Sequence, residues 1–156
     1  RIPRRMENKV TGPSSGGRLN RLTITIPGAP IAKKRPRFAR RGKFVSTYNP
    51  QESEEGKFVC LMSSQLNGHK PIPAGTPIYL QAQFHMPFPA SMSAKKRATA
   101  IHTKKPDVDN MLKFLKDCAN GVLWNDDSQV VWVCAQKLYS DNPRTEVELT
   151  WLDGEK

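Results

Sequence analysis

The chain has 156 residues, with 25 Lys and Arg against 14 Asp and Glu, and its formal net charge is +11. This length suits a single domain that buries roughly two thirds of its unfolded surface without disulfides or metal staples. Because no apolar run approaches the ~20 residues of a bilayer span and no apolar stretch follows the N-terminal charges, we expect no membrane embedding, no secretory signal and a cytoplasmic location.

The first residues differ in composition from the rest of the chain. Residues 1–18 are rich in Gly, Pro and Ser and contain few core-forming side chains, so we predict a disordered lead there and one domain over residues 19–156. Alternating apolar and polar residues over 22–26 then predict a strand with one buried face, which Pro27 ends.

A strongly basic segment follows this strand. Residues 1–50 hold 13 basic residues and one acid, and seven cations fall within residues 33–43. Cations at this density repel one another and are usually tolerated where a polyanion neutralises them, so the segment favours nucleic acid over a merely solvated surface. A membrane surface is disfavoured because no amphipathic helix accompanies the cations. Pro36 and Gly42 argue against a basic helix, so we predict a loop or arm that follows phosphates.

A second basic stretch over residues 95–105 joins the first in the predicted nucleic-acid surface. The predicted DNA contacts from the two stretches are Lys33, Lys34, Arg35, Arg37, Arg40, Arg41, Lys43, Lys104 and Lys105.

Two helices and a second strand are predicted in the middle of the chain. Residues 49–66 combine early acids with later apolar residues, which is typical of an amphipathic helix, and residues 78–86 predict a strand. A polar loop covers residues 87–106. Apolar residues then recur on one face of a 3.6-residue period and predict the clearest helix, at Val108, Met111, Leu112, Leu115 and Ala119.

The C-terminal part predicts two strands. Residues 130–138 are apolar and β-branched, residues 140–143 form a turn, and residues 147–151 alternate, which together indicate a hairpin. The order β-α-β-α-β-β predicts an α+β fold: a single domain with a mixed four-stranded sheet and helices packed on it.

Cysteine and histidine spacing indicates neither a disulfide framework nor a metal site. Cys60, Cys118 and Cys134 are odd in number and lack CxxC spacing, so we expect three buried thiols. The three histidines are scattered along the chain, which disfavours a histidine metal site.

Acidic residues bracket the last predicted helix. Asp107 and Asp109 lie two residues apart, and in an extended stretch their carboxylates share a face, where like charges require a cation between them. Asp109 also suits a helix cap, which leaves one acid unexplained. An acidic pair that ends at Asp127 follows the other end of the helix, and Lys113 lies four residues after Asp109 on the same side.

If Asp127 folds back onto Asp107 and Asp109, three carboxylates and one ammonium converge beside basic walls. Cleavage of an anionic phosphodiester needs a hard cation that polarises the phosphoryl oxygen and lowers the pKa of an attacking water. Carboxylates with bound waters are the usual cage for Mg²⁺, and Lys113 could neutralise transition-state charge. Spacing alone leaves open both a metal site and an acidic cap with an acidic turn.

A longer pattern connects these residues. Asp107-Val108-Asp109-Asn110 is followed by Lys113 and Asp117, and then by the run Trp124-Asn125-Asp126-Asp127-Ser128-Gln129-Val130-Val131. Together with Ile26-Pro27, the basic arm and His85-Met86-Pro87, this pattern resembles the RusA-type Holliday-junction resolvases, endodeoxyribonucleases of bacteria and their phages. The resemblance covers most of the chain.

The resemblance implies a site and a substrate. Asp107, Asp109 and Asp127 would bind a divalent metal, Mg²⁺ with Mn²⁺ as a substitute, and Lys113 would be the catalytic lysine. A homodimer would nick two opposing strands of a four-way DNA junction symmetrically. This activity would serve recombination, repair or phage replication at the nucleoid of a bacterial or phage-infected cell.

Some residues of the pattern have plainer interpretations. Asp117 suits a surface partner of Lys113, and Trp124 is expected to pack in the core rather than stack on bases. Pro106 stands where a basic residue often precedes the first aspartate, which affects the DNA contacts rather than the metal site.

Two other functions stay open on the sequence. One is a non-catalytic basic DNA-binding protein whose acids are structural. The other is a metal nuclease that acts on flaps, forks or RNA, because basic walls read backbone shape and carry little sequence information.

Overall fold

Strands and helices are interleaved along the chain in the computed structural model, which describes residues 17–153. The strands are β1 (Leu19–Pro27), β2 (Arg37–Arg41), β3 (Phe44–Tyr48), β4 (Ile78–Pro87), β5 (Val130–Ser140) and β6 (Arg144–Leu152). The helices are α1 (Glu52–Ser63), α2 (Ala94–Arg97) and α3 (Val108–Ala119), and one 3-10 turn covers Asp127–Gln129. The predicted lead falls outside the described residues except for Gly17 and Arg18, and it stays a prediction.

Four strands form one mixed sheet in the order β1-β6-β4-β5. β4 pairs with β5 in parallel and with β6 antiparallel, and β6 pairs antiparallel with β1. The predicted α+β fold, a single domain with a mixed four-stranded sheet, is therefore confirmed.

The predicted hairpin between the last two strands is wrong, because β4 lies between β5 and β6. β4 is the most buried strand, with Ile78, Leu80, Ala82, Phe84 and Met86 buried on one face, and this burial favours a central position. The connection of three residues between β5 and β6 crosses the end of β4. Such a connection is long enough, since two strand spacings measure about 9.6 Å and an extended residue spans about 3.3 Å.

Helices α1 and α3 cover one face of this sheet and form the core with it. Met111, Leu115 and Ala119 of α3 are buried, as the 3.6-residue hydrophobic period predicts. Phe114 of α3 packs edge-on against Phe58 of α1, with the ring centroids 5.3 Å apart. The other face of the sheet carries mainly polar side chains from β1, β4 and β6. Within residues 17–153, no helix has the length and apolar content that crossing a lipid bilayer demands.

Strands β2 and β3 form a separate two-stranded ribbon, so the predicted arm contains paired strands rather than a loop, and no helix forms there, as Pro36 and Gly42 predict. A two-residue turn joins them, and Gly42 at its first position adopts φ 62°, the positive φ that hairpin turns of the primed types require there. The ribbon makes little contact with the other elements. We call Arg37–Tyr48 the basic ribbon.

The expectation of three buried thiols holds for one of them. Cys118 of α3 is buried, and burial raises the pKa of its thiol to about 12. Cys60 and Cys134 are exposed, because each lies on the solvent side of its helix or strand.

Candidate functional site

Helix α3 begins directly after the first of the predicted site acids. Asp107 is the N-cap residue, with extended backbone (φ −76°, ψ 145°), and its carbonyl oxygen accepts a hydrogen bond of 3.2 Å from the amide of Met111. Its carboxylate makes no capping hydrogen bond and is exposed. Asp109 lies inside the first turn, so two expectations are wrong: Asp109 is not the cap, and the two acids do not lie on one extended stretch.

The outer face of α3 carries one acid and two lysines. Asp109, Lys113 and Lys116 fall within about 60° around the helix axis, since each residue turns about 100°. Asp109 and Lys113 are exposed, and Lys116 is half-buried. The structure thus places Lys113 beside Asp109 on the solvent side of the helix, as the four-residue spacing predicts.

Asp127 folds back onto the same face of α3. It opens the 3-10 turn before β5, and its Oδ2 lies 3.5 Å from Nζ of Lys116. The residue before it, Asp126, caps this turn by accepting from the amide of Ser128 at 2.8 Å, and this hydrogen bonding lowers the pKa of Asp126. The acids at the two ends of the helix therefore share one side of the molecule.

The carboxylates of Asp107, Asp109 and Asp127 are not grouped closely enough to share one metal ion. Within residues 17–153, no three or more His, Cys, Asp or Glu side chains are grouped so that they could hold a metal ion. Lys116 lies seven residues after Asp109, which is about 10.5 Å along the helix axis. Its ammonium holds Asp127 near the last turns of α3, whereas Asp107 and Asp109 lie at the first turn.

The donor chemistry nevertheless suits a hard divalent cation. All three carboxylates are exposed, and carboxylate oxygens completed by water are the ligands that Mg²⁺ prefers. The metal-binding roles of Asp107, Asp109 and Asp127 and the catalytic role of Lys113 stay predictions.

Gln129 builds the turn that presents Asp127. Its Nε2 donates to the carbonyls of Pro73 (2.8 Å) and Thr76 (3.2 Å), and its Oε1 accepts from the amides of Asn125 (3.0 Å) and Asp126 (3.1 Å). The side chain is buried. The spacing of Asp126 and Gln129 is that of a capping box, a signal that the sequence carried and that we did not use. Trp124, just before this turn, is fully buried, which confirms its predicted place in the core.

We expect Gln129→Ala to lower the free energy of unfolding by about 2–3 kcal/mol, because it removes a buried side chain that hydrogen-bonds four partly buried backbone groups. Urea denaturation measures this change. Gln136→Ala removes an exposed glutamine from β5 and is the matched control, with a change within about 0.5 kcal/mol. Equal stabilities for the two variants would show that the buried amide does not organise this turn.

Lys137 of β5 supports the chain segment that leads into α3, a role that was not predicted from the sequence. Its Nζ donates to the carbonyl of Lys104 and, at 2.9 Å, to that of Pro106, the residue directly before Asp107. The sequence signal was available, since Lys137 interrupts the core-facing series that includes Ala135 and Tyr139. Lys137 therefore acts on the position of Asp107 through the backbone.

Lys33 differs from the other predicted DNA contacts. Its Nζ lies 2.8 Å from Glu55 and 3.0 Å from Asp117. Burial works to lower the pKa of Lys33, but the hydrogen bonds to these two acids outweigh burial and leave the pKa raised. The expected partner of Asp117 is thus corrected from Lys113 to Lys33, and the ammonium of Lys33 faces acids rather than solvent.

The remaining predicted contacts are mostly exposed cations. Lys34 pairs with Glu54 at 3.4 Å while staying exposed. The side chain of Arg41 lies outside the described part of the chain. The others are exposed cations: Arg35, Arg37, Arg40, Lys43, Lys104 and Lys105.

Comparisons with known proteins agree with this arrangement. A family profile described as "Endodeoxyribonuclease RusA" matches residues 27–150. The chain is 38% identical over 135 residues to the uncharacterized protein YqaN of Bacillus subtilis (strain 168), covering 81% of this chain and 93% of that relative. It is 32% identical over 93 residues to the crossover junction endodeoxyribonuclease rusA of Lactococcus phage r1t, covering 57% of this chain and 68% of that relative.

Proposed function

The chain belongs to the RusA family of endodeoxyribonucleases, and from this premise we propose that it is a divalent-metal-dependent nuclease that resolves four-way DNA junctions by paired symmetric nicks. The observation that carries the proposal is the return of Asp127 to the face of α3 that also bears Asp109 and Lys113. Exposed acids on one face beside exposed cations suit a phosphodiester substrate.

In the proposed mechanism, Asp107, Asp109 and Asp127 would hold the cation. When bound, Mg²⁺ or Mn²⁺ would polarise a phosphoryl oxygen and make an attacking water more acidic. Lys113, one helical turn beyond Asp109, stabilises the negative charge that develops on the phosphate. Lys116 keeps Asp127 against α3, on the face that carries Asp109 and Lys113.

We further propose that the protein acts as a homodimer. β5 ends the sheet order, and within residues 17–153 no strand pairs with its outer edge. This edge strand exposes Val131, Trp132 and Val133, which is an apolar surface that a soluble monomer usually covers. A two-fold dimer places two sites symmetrically, as paired nicks in opposing strands of a junction require.

We propose that this activity serves DNA recombination, repair or phage replication in the cytoplasm of a bacterial or phage-infected cell. A nuclease that prefers flaps, forks or RNA is a second candidate, because exposed cations on a ribbon contact backbones without reading sequence.

The experiment that tests the proposal compares substrates at equal concentration: a four-way junction, a flap, a fork, linear duplex and RNA, each with Mg²⁺, Mn²⁺ or EDTA. We expect metal-dependent, paired nicks in the junction and much slower cleavage of the rest. A faster rate on flaps, forks or RNA would establish the second candidate. Junction binding with no nicking at any metal concentration would leave a non-catalytic DNA-binding protein.

A further inference from the structure

The basic ribbon exposes large aromatic side chains to solvent. Phe44 is 82% exposed, Phe38 73% and Tyr48 47%. Isolated exposed apolar residues are ordinary, but three aromatic rings within twelve residues of a ribbon are a concentrated apolar surface. Core packing does not account for these rings, because the ribbon makes little contact with the other elements.

The strand register sorts these rings onto two faces. Arg37 pairs with Tyr48, Ala39 with Ser46, and Arg41 with Phe44, so Phe44 and Tyr48 share a face with two small residues between them. Phe38 lies on the opposite face. A shallow groove on the first face is lined by Ala39, Phe44, Ser46 and Tyr48.

This groove has the dimensions of stacked bases. Phe44 and Tyr48 are four residues apart on one strand, so their Cα atoms are separated by about 13 Å. Ala39 and Ser46 have short side chains that leave the space between the two rings open. Two rings at this separation can enclose up to about three planar bases, because four stacking gaps of about 3.4 Å span about 13.6 Å.

The charge around the groove favours a polyanion over a protein partner. Arg37 lies on the face of the groove, Lys43 lies in the turn and Arg40 lies on the opposite face, and all three are exposed; the sequence contains no acid between Glu7 and Glu52. Alternating cations and aromatic rings are the surface that single-stranded nucleic acid uses, with cations on phosphates and rings on base faces. A second copy of this ribbon would bring like charges together.

The base of the ribbon is fixed to the helix that carries the candidate site. The amide of Lys33 donates to the carbonyl of Asn110, the residue after Asp109, at 3.0 Å. Buried Gln51 joins the two ends of the ribbon, since its Nε2 donates to the carbonyl of Ala32 at 2.9 Å and its Oε1 accepts from the amide of Lys34 at 2.6 Å. The chain that leads into the ribbon therefore contacts the first turn of α3 four residues before Arg37.

We propose that the basic ribbon binds unpaired bases at a DNA branch point, with Phe44 and Tyr48 stacking on the bases and the ribbon cations holding the flanking phosphates. The proposal rests on the proposed function, because it assigns the ribbon to selection of branched DNA beside the cleavage site. Duplex DNA offers phosphates but no open base faces, so the rings contribute to branched and single-stranded DNA alone.

The test measures binding by the full-length protein in EDTA, where no metal-dependent cleavage contributes. The probes are a four-way junction with 2-aminopurine at the branch point, a single-stranded oligonucleotide and a linear duplex. Phe44→Leu/Tyr48→Leu keeps apolar volume and removes the flat rings, whereas Phe44→Trp/Tyr48→Trp keeps stacking. Ile101→Ala, at a side chain 80% exposed, is the control for an unrelated apolar change.

We expect the double leucine variant to bind junction and single strand about tenfold or more weakly and duplex within about twofold of wild type. The double tryptophan variant and Ile101→Ala should retain wild-type affinity, and the 2-aminopurine signal should change on binding for every form except the leucine variant. Equal weakening on duplex, or no weakening on any probe, would overturn the proposal. A changed oligomeric state of the leucine variant in light scattering would assign the rings to a protein interface instead.

The two proposals fail separately. Base-dependent binding without nicking in Mg²⁺ would refute the nuclease function and keep the role of the ribbon. Junction nicking that is unaffected by the leucine substitutions would keep the nuclease and refute the ribbon.

Discussion

Asp109→Asn is expected to lower the rate of junction cleavage by about 10³-fold or more, which corresponds to about 4 kcal/mol of lost transition-state stabilisation. The amide is a weaker ligand than the carboxylate and carries no charge to balance a divalent cation. Single-turnover cleavage of a labelled four-way junction at saturating Mg²⁺ measures the effect. Junction affinity in EDTA should be unchanged or higher, because the substitution removes a negative charge near a polyanion.

The matched control is Asp141→Asn, which removes an equally sized acid at a side chain 85% exposed and paired with Arg97 at 3.4 Å. We expect it to cleave at the wild-type rate. Both variants should melt close to the wild type, since exposed substitutions usually change stability by less than about 0.5 kcal/mol. Wild-type cleavage by Asp109→Asn would remove Asp109 from the site.

Removal of the ribbon cations is expected to change the salt dependence of DNA binding. Each neutralised phosphate contributes about −0.9 to the slope of log affinity against log salt, so Arg37→Gln/Arg40→Gln/Lys43→Gln should make the slope shallower by about 2.7. Between about 50 and 200 mM salt, the wild type would then lose about 40-fold more affinity than the variant. Fluorescence anisotropy with a junction over this range measures both slopes.

Lys57→Gln/Lys70→Gln provides the comparison, because it removes exposed cations outside the ribbon. Its slope should stay within about 0.5 of the wild-type value. Equal slope changes per removed cation in the two variants would mean that the whole basic surface, rather than the ribbon, contacts the phosphates.

The sequence predicted those parts of the fold that follow from a regular hydrophobic period. α3 has the predicted bounds because one full face of the helix is apolar, and β1 and β4 alternate as half-buried strands do. The basic ribbon was not predicted, because both of its faces are exposed and its sequence has no burial pattern. The position of β4 between β5 and β6 was not predicted either, because strand pairing depends on burial across the sheet. The short connection between β5 and β6 also resembles the turn of a hairpin.

The candidate site was predictable in its residue types and less so in its contacts. The spacing of Asp109 and Lys113 follows from helix geometry, and the return of Asp127 follows from the turn that Gln129 organises. The partners of Lys33 and Lys137 could not be predicted, because each reaches an element distant in sequence: Asp117 for Lys33, and the carbonyl of Pro106 for Lys137.

The pairing of β1 with β6 brings together the two most distant strands of the sheet, from Leu19 with Leu152 to Pro27 with Arg144. During synthesis, β1 leaves the ribosome early, but its backbone can pair only after β6 has been synthesised. A translation product that stops before Arg144 already contains every acid of α3 and the turn after it, yet its sheet cannot be completed. We therefore expect nuclease activity to appear all at once, when the final strand docks, and a truncated product to be an aggregating fragment rather than a partly active enzyme.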